Sequence, residues 1–329
     1  GGGGSSSSGD PGNTNNGSTP PTIVWSALDY SGTSITSASV FSSLMRNGED
    51  IYIVEGGITN TNLVKTSDGV NFIEYTTHKL MPVLIAIDEA NRFYFDDVYS
   101  DDLINYTTQT EEAPFNTFVT GNSSVQIGVD SIFNRVERSI DGGNSWTALD
   151  LDGDTNTNES VLAFRPVFDG GGTFIVIDET SGLWRSTDSG VNWTKILDSQ
   201  GRFDAITTNR NSTDTFYAAK NGAILVSIDD GANWTSVTAP LSNLQVINEY
   251  LDIELLDDGT LLAWGLSNND GEALGQVYVS SDAAQNWTEI GDRIGQSRSR
   301  ITSLGTSEIV GNSNNYFLAT NLEVYTLLR

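Results

Sequence analysis

Short hydrophobic runs rich in β-branched and aromatic residues recur along most of the chain. One set comprises residues 173–177 (TFIVI), residues 182–185 (GLWR) and, after a polar turn, residues 193–197 (WTKIL). Each run has the length of a strand and is bounded by residues that favour turns. The pattern predicts about four short antiparallel strands per repeat. No apolar run is long enough to cross a bilayer as a helix.

A polar motif recurs between the third and fourth strands of these sets. Residues 139–146, 186–193, 227–234 and 280–287 read S-x-D-x-G-x-x-W, except that Ala284 replaces the glycine. Residues 66–72 and 100–106 are copies one residue shorter. The motif aspartates are Asp68, Asp102, Asp141, Asp188, Asp229 and Asp282, and the tryptophans are Trp146, Trp193, Trp234 and Trp287. The aspartates are 34 to 53 residues apart, the size of a propeller blade.

This motif resembles the Asp-box (BNR) repeat of sialidases, sortilin-type receptors, xyloglucanases and photosystem assembly factors. The resemblance implies a β-propeller over residues 22–329, with the boxes on the outer rim, away from the face used for catalysis or binding. Within each box, we expect the aspartate to accept hydrogen bonds from the turn and the glycine to adopt a positive φ. We expect the aromatic side chain to pack between blades.

The fold class predicted is all-β, a seven-bladed propeller of four-stranded antiparallel blades. At about 44 residues per blade, residues 22–329 hold seven blades, although only six boxes are present. Residues 301–328 supply three strands of the last blade, the first of them at 301–304. We therefore predict that residues 22–28 form its outer strand and close the ring, which leaves no open sheet edge. A six-bladed ring is the alternative.

Residues 1–21 contain no aromatic and no large aliphatic side chain. Such a segment buries too little apolar area to offset the entropy lost on ordering, so we predict a disordered tether. It resembles the spacer of bacterial surface lipoproteins, which implies a lipid anchor upstream of residue 1 and a location on the outer cell surface. A linker of engineered origin is the plainer alternative.

Composition excludes several classes of function. The chain carries 43 Asp and Glu against 16 Lys and Arg, a net charge of −27, which repels nucleic acid and anionic membranes. Without cysteine there is no thiol nucleophile, disulfide or cysteine zinc site. His78 is the only histidine, so any Ser-His-Asp triad would have to use it.

Candidate ligand-binding residues lie in loops predicted for one face of the ring. Two acidic pairs could act as the acid and base of a glycosidase, and the densest group of arginines could bind a carboxylate. With the histidine and one further arginine, the candidates are His78, Asp178, Glu179, Arg202, Asp270, Glu272, Arg293, Arg298 and Arg300. Charged loop residues are also common without any such role.

One loop has the pattern of a calcium ligand set. Oxygen-bearing side chains stand at alternate positions in Asp150, Asp152, Asp154, Asn156 and Asn158, as Ca²⁺ prefers. The run departs from the EF-hand pattern, because Thr155 stands where glycine is expected and Val161 where glutamate is expected. The hypothesis is a bound Ca²⁺, and the alternative is an acidic surface loop.

The function predicted is a non-catalytic, extracellular or cell-surface binding and scaffold propeller that recognises a glycan or partner proteins. One alternative is a glycoside hydrolase of the sialidase or xyloglucanase type, which the resemblance allows but for which no catalytic spacing is recognisable. Another is a structural subunit of an extracellular assembly, with the tail attached to a neighbour.

Overall fold

The chain folds as a seven-bladed β-propeller of four-stranded antiparallel sheets, so the predicted fold class is confirmed and the six-bladed alternative is wrong. The computed structural model describes residues 24–35, 40–56, 61–76, 84–88, 91–95, 98–108, 117–122, 124–130, 135–156, 166–177, 182–198, 203–209, 214–220, 222–237, 249–269, 272–295, 309–320 and 323–329. Across these ranges, no helix has the length and apolar character needed to span a membrane.

Six blades are continuous in sequence, and their strands run from the inside of the ring to its outer edge. Blade 1 contains β2 (Val40–Asn47), β3 (Asp50–Gly56), β4 (Thr61–Thr66) and β5 (Ile73–Thr76); blade 2 contains β6 (Leu84–Ile87), β7 (Phe93–Phe95), β8 (Val98–Ser100) and β9 (Thr107–Thr108); blade 3 contains β10 (Thr117–Gly121), β11 (Gln126–Asp130), β12 (Arg135–Ser139) and β13 (Thr147–Ala148).

The next three blades repeat this order. Blade 4 contains β14 (Val167–Phe168), β15 (Phe174–Ile177), β16 (Gly182–Ser186) and β17 (Thr194–Asp198); blade 5 contains β18 (Phe203–Thr208), β19 (Phe216–Lys220), β20 (Ala223–Ser227) and β21 (Thr235–Val237); blade 6 contains β22 (Glu249–Leu255), β23 (Leu261–Asn269), β24 (Glu272–Ser280) and β25 (Thr288–Gly295).

Blade 7 joins the two ends of the chain. Its inner three strands are β26 (Ile309–Gly311), β27 (Asn315–Ala319) and β28 (Val324–Leu328), and its outer strand is β1 (Ser26–Ala27). The predicted closure is confirmed, with Ser26 paired to Thr326 and Ala27 to Tyr325. The inner strand is formed by Ile309–Gly311 and not, as predicted, by residues 301–304, which lie outside the described residues.

The hydrophobic core is divided into layers between neighbouring blades. Between blades 3 and 4, Ile127 and Phe174 are fully buried and the box residue Trp193 packs against them. The boxes of blades 5 and 6 place Trp234 and Trp287 in the same way against the preceding blade. Burying side chains of this size contributes about 1.5–3 kcal/mol each, and these three tryptophans pack between blades in the way expected of the aromatic position.

Candidate functional site

The six boxes form matching turns at one end of the blades, between the third strand and the outer strand. We call this end the box edge. In blade 1, Asp68 Oδ1 accepts hydrogen bonds from the backbone N–H of Val70 and Asn71, at 2.9 and 2.8 Å. The Asn71 amide donates to Asp68 Oδ2 at 2.6 Å. The carboxylate therefore satisfies backbone N–H groups of the turn that would otherwise bond to water.

Hydrogen bonding lowers the pKa of the box carboxylates. The backbone N–H of Asn71 and its side-chain amide lower the pKa of Asp68 to about 2. The Asn233 side chain and backbone do the same for Asp229, whose pKa is also about 2. An acid of this strength is unprotonated at neutral pH and cannot donate a proton to a leaving group. The box carboxylates thus accept hydrogen bonds within their own turns.

The box turns of blades 4 and 5 also fasten their blades to the preceding ones. Gly190 and Gly231 adopt positive φ angles of 76° and 79°. A Cβ on Gly190 would lie 2.6 Å from Cδ1 of Ile127, so the turn lies directly against blade 3. There Arg138 Nε donates to the Ser189 carbonyl at 2.8 Å. In the next blade pair, Arg185 donates to Asp230 Oδ2, also at 2.8 Å.

Sequence reasoning missed these two arginines. Arg138 and Arg185 each stand immediately before the box serine, in consecutive repeats. That shared position is the signal that could have identified them. Their partners lie 51 and 45 residues away, so only the folded ring shows what they bind.

The acidic loop after box 3 brings its three aspartates together. One carboxylate oxygen from each of Asp150, Asp152 and Asp154 lies within 4.8 Å of the others. Asp150 accepts hydrogen bonds from the backbone N–H of Gly153 at 2.7 Å and of Thr155 at 2.8 Å, and the Thr155 bond is the main cause of its lowered pKa. All three side chains are exposed. A calcium ion here stays a prediction, and Asn158 lies outside the described residues.

Most of the other candidate residues lie outside the described part of the chain. Arg293 is on β25, where its Nε lies 3.7 Å from Glu289 Oε1, so it forms a pair within its own strand. Glu272 begins β24, but its side chain is not described. The candidates outside the described residues are His78, Asp178, Glu179, Arg202, Asp270, Arg298 and Arg300.

Comparison with known proteins supports the fold. A family model described as "Sortilin, neurotensin receptor 3" matches residues 181–317, less than half of the chain. YCF48 from Cyanidioschyzon merolae has a similar structure, with a TM-score of 0.56 and 13% sequence identity, over 93% of this chain and 98% of that one. No curated protein matches the chain in sequence.

Two longer proteins contain a similar structure. The extracellular domain of a protein described as a hybrid two-component system, from B. thetaiotaomicron, has a TM-score of 0.61 and 14% identity over 92% of this chain. An ancestral GH74 enzyme has a TM-score of 0.56 and 16% identity, also over 92%. This chain covers only 39% and 46% of their lengths. The chain therefore has the β-propeller fold of these proteins, and its residues 181–317 are similar to the sortilin family model.

Proposed function

We propose that the protein is a non-catalytic binding and scaffold propeller that recognises partner proteins outside the cell. The observation that carries this proposal is that the box carboxylates, and two arginines that precede box serines, form their hydrogen bonds within the propeller rather than in an open site. Asp68 and Asp229 accept hydrogen bonds from the backbone of their own turns. Arg138 and Arg185 bind the neighbouring blade. Such a ring is a rigid support whose loops are free to vary with the ligand.

A protein ligand is favoured over a glycan by the kind of apolar surface on the described residues. All seven tryptophans are buried or half-buried there. The large hydrophobic side chains that are exposed are all aliphatic. Sugar rings pack best on flat aromatic faces, whereas aliphatic side chains are covered well by other side chains. Glycan recognition by loops outside the described residues is the second possibility that the experiment addresses.

The enzymatic alternative is a glycoside hydrolase. It draws on the shared fold of GH74 enzymes and on the acidic pairs Asp178/Glu179 and Asp270/Glu272. Two carboxylates about 5–10 Å apart would be required. The third reading, a subunit of an extracellular assembly, is a special case of partner binding in which the tether of residues 1–21 joins a neighbour.

The proposed location rests on composition. A net charge of −27 and the absence of cysteine suit an exported protein. The Gly/Ser/Asn-rich segment at residues 1–21 suits a flexible connection to a lipid anchor or an assembly. Fractionation of the native cells, with labelling by a radioactive fatty acid, would test both parts of this proposal.

The decisive experiment incubates the full chain with sialoside and xyloglucan oligosaccharides and analyses the products by chromatography, alongside a binding screen on a glycan array. We expect no bond cleavage and no saturable glycan binding, with proximity labelling in the native envelope identifying a protein neighbour. Cleavage that is lost in an Asp178→Asn/Glu179→Gln or an Asp270→Asn/Glu272→Gln variant would establish the hydrolase instead. Saturable binding to one glycan class without cleavage would replace the protein ligand with a sugar.

A further inference from the structure

The exposed large hydrophobic side chains of the described residues share one end of the molecule. Five of them lie inside box turns. Ile73 follows the aromatic residue of box 1, Leu328 ends the third strand of blade 7, and Val24 precedes β1. The full set is Val24, Val70, Ile73, Ile104, Ile140, Val191, Ile228 and Leu328. Because each box turn follows the third strand of its blade, all eight side chains belong to the box edge.

Three of these side chains lie at the joint between blades 7 and 1. The register of β1 with β28 pairs Ser26 with Thr326, which brings the residues just before β1 beside the end of β28. A Cβ on Gly69 would lie 3.2 Å from Oγ1 of Thr326, so box 1, which contains Val70, lies against the same strand. Leu328 is 80% exposed and Val70 is 75% exposed. The two ends of the chain and box 1 thus place three exposed apolar side chains at one joint.

Two more exposed side chains, Ile73 and Ile104, lie at the next joint, between blades 1 and 2. Ile73 lies on the same face of β5 as Tyr75, which packs into the core between blades 1 and 2. Leu103 packs into that core from box 2, and its neighbour Ile104 is 74% exposed. Blades 7, 1 and 2 therefore carry five of the eight side chains. We call this set the closure arc: Val24, Val70, Ile73, Ile104 and Leu328.

The charges around the closure arc select the chemistry of its partner. Lys65 is paired with Asp50 at 2.9 Å, and Arg92 with Asp101 at 2.6 Å. Arg329 is paired with Asp258. The box carboxylates Asp68 and Asp102 add negative charge beside Val70 and Ile104. A second copy of this chain would bring the same sign of charge, and residues 1–21 offer no large apolar side chain.

We propose that the closure arc is a docking surface for a basic protein segment whose aliphatic side chains are flanked by lysine or arginine. An apolar centre with a charged rim is the arrangement of a specific protein interface, and exposed apolar patches of this kind mark interaction sites. The proposal rests on the proposed function, because it names the surface and the partner chemistry of a binding propeller.

The test uses the full chain and a fluorescent amphipathic peptide composed of leucine and lysine. Anisotropy titration at low and at physiological ionic strength gives the dissociation constant. The arc variant is Val70→Ser/Ile104→Ser/Leu328→Ser. Its matched control is Ile140→Ser/Val191→Ser/Ile228→Ser, which removes three other exposed side chains, from blades 3, 4 and 5. We expect the arc variant to bind about tenfold or more weakly, which corresponds to about 1.4 kcal/mol, and the control to bind as the parent does.

Peptide chemistry provides the second control. A peptide of serine and lysine with the same charge should bind about tenfold more weakly than the leucine–lysine peptide, because the aliphatic contacts are missing. Equal affinity of the two variants, equal affinity of the two peptides, or no binding would overturn the proposal. Dimerisation of the parent chain that the arc variant loses, measured by sedimentation, would assign the surface to a second copy instead. The proposed function is tested by different measurements, since bond cleavage or glycan binding by the parent chain would contradict it whatever the peptide result.

Discussion

Blades 3 to 5 and blade 7 are fastened to their neighbours in two different ways. In blades 4 and 5 a glycine of the box lies against the preceding blade, and Arg138 or Arg185 of that blade bonds the turn. Blade 7 has no box. Its Asn312 amide donates to the carbonyls of Glu49 and Ser67 in blade 1, at 2.9 and 2.8 Å.

The other side of blade 7 is held by the chain ends. Arg329 bonds Thr260 of blade 6 at 2.5 Å and pairs with Asp258. The Trp25 backbone N–H donates to Asp292 Oδ1, also of blade 6, at 2.8 Å. The joint formed by residues of the repeat thus recurs at blades 4 and 5. Blade 7 is instead held by polar contacts from residues outside the repeat. The following substitutions separate the two kinds of joint.

The largest effect is expected at a box glycine. Gly190→Ala places a Cβ 2.6 Å from Cδ1 of the buried Ile127 and forces alanine into a φ of 76°. Left-handed strain and overpacking together should lower the free energy of unfolding by about 2–4 kcal/mol, measured by guanidinium denaturation. Gly222→Ala is the control, since its φ is 74° but nothing lies within 4 Å of the new Cβ. It should cost about 1–2 kcal/mol, and equal losses would remove the packing explanation.

The closure joint is tested by Asn312→Asp. The carboxylate keeps the acceptor for the backbone N–H of Asn314 and Asn315 but loses the two donors to blade 1. We expect a loss of about 2–3 kcal/mol, because a buried charge then faces two carbonyl oxygens. Asn122→Asp is the matched control.

Asn122 makes the same turn in blade 3, accepting from Ser124 and Val125. Its replacement should change the free energy of unfolding by about 0.5 kcal/mol or less, as for other surface substitutions. A comparable loss in both variants would place the effect of Asn312→Asp within its own turn rather than at the joint.

The acidic loop tests whether a box blade also depends on contacts outside the repeat. If Asp150, Asp152 and Asp154 bind Ca²⁺, excess calcium should raise the melting temperature, and a tenfold excess over the dissociation constant contributes about 1.4 kcal/mol. Chelator should reverse the rise, and Asp150→Asn/Asp154→Asn should abolish it. Identical melting with calcium and with chelator would refute the calcium hypothesis.

A smaller effect concerns the ionisation of a box aspartate. The pKa of Asp229 is lowered from 3.8 to about 2 in the folded chain. A lowered folded pKa adds stability above the unfolded value, and that stability is lost as the pH falls through the folded value. Parent and Asp229→Asn should therefore differ most above about pH 5 and converge between about pH 4 and pH 2. Melting curves across this range check it, and a constant gap would contradict it.

The smallest effect is expected at the one box in which alanine replaces glycine. Ala284 has a φ of 65° and is fully buried beside Tyr217, and the preceding blade offers Val226 rather than an arginine at this position. Ala284→Gly relieves left-handed strain but removes a buried methyl, each worth about 1 kcal/mol. Denaturation should show a change below about 1 kcal/mol. A loss near that of Gly190→Ala would mean that Ala284 forms a different joint.

Sequence alone determined those features that depend on residues close together in the chain. The boxes were recognised because one turn needs serine, aspartate, glycine and an aromatic residue within eight positions. Their spacing set the blade size, and the strand count of the last blade required residues 22–28 to close the ring. The structural roles of Asp229 and Trp234 followed from the same pattern, because each acts within its turn or against the adjacent blade.

Tertiary structure decided the contacts between blades and the grouping of exposed side chains. The hydrogen-bond partners of Arg138, Arg185 and Asn312 lie 45 to 263 residues away in sequence. The periodicity of the sequence does not indicate which turn faces which strand. The closure arc likewise combines Val24 and Leu328, from opposite ends of the chain, with Val70. Hydrophobic pattern specifies strands because burial alternates locally along a chain. Joints and surfaces depend on the ring bringing distant residues within a few ångströms, which happens only once the chain has folded.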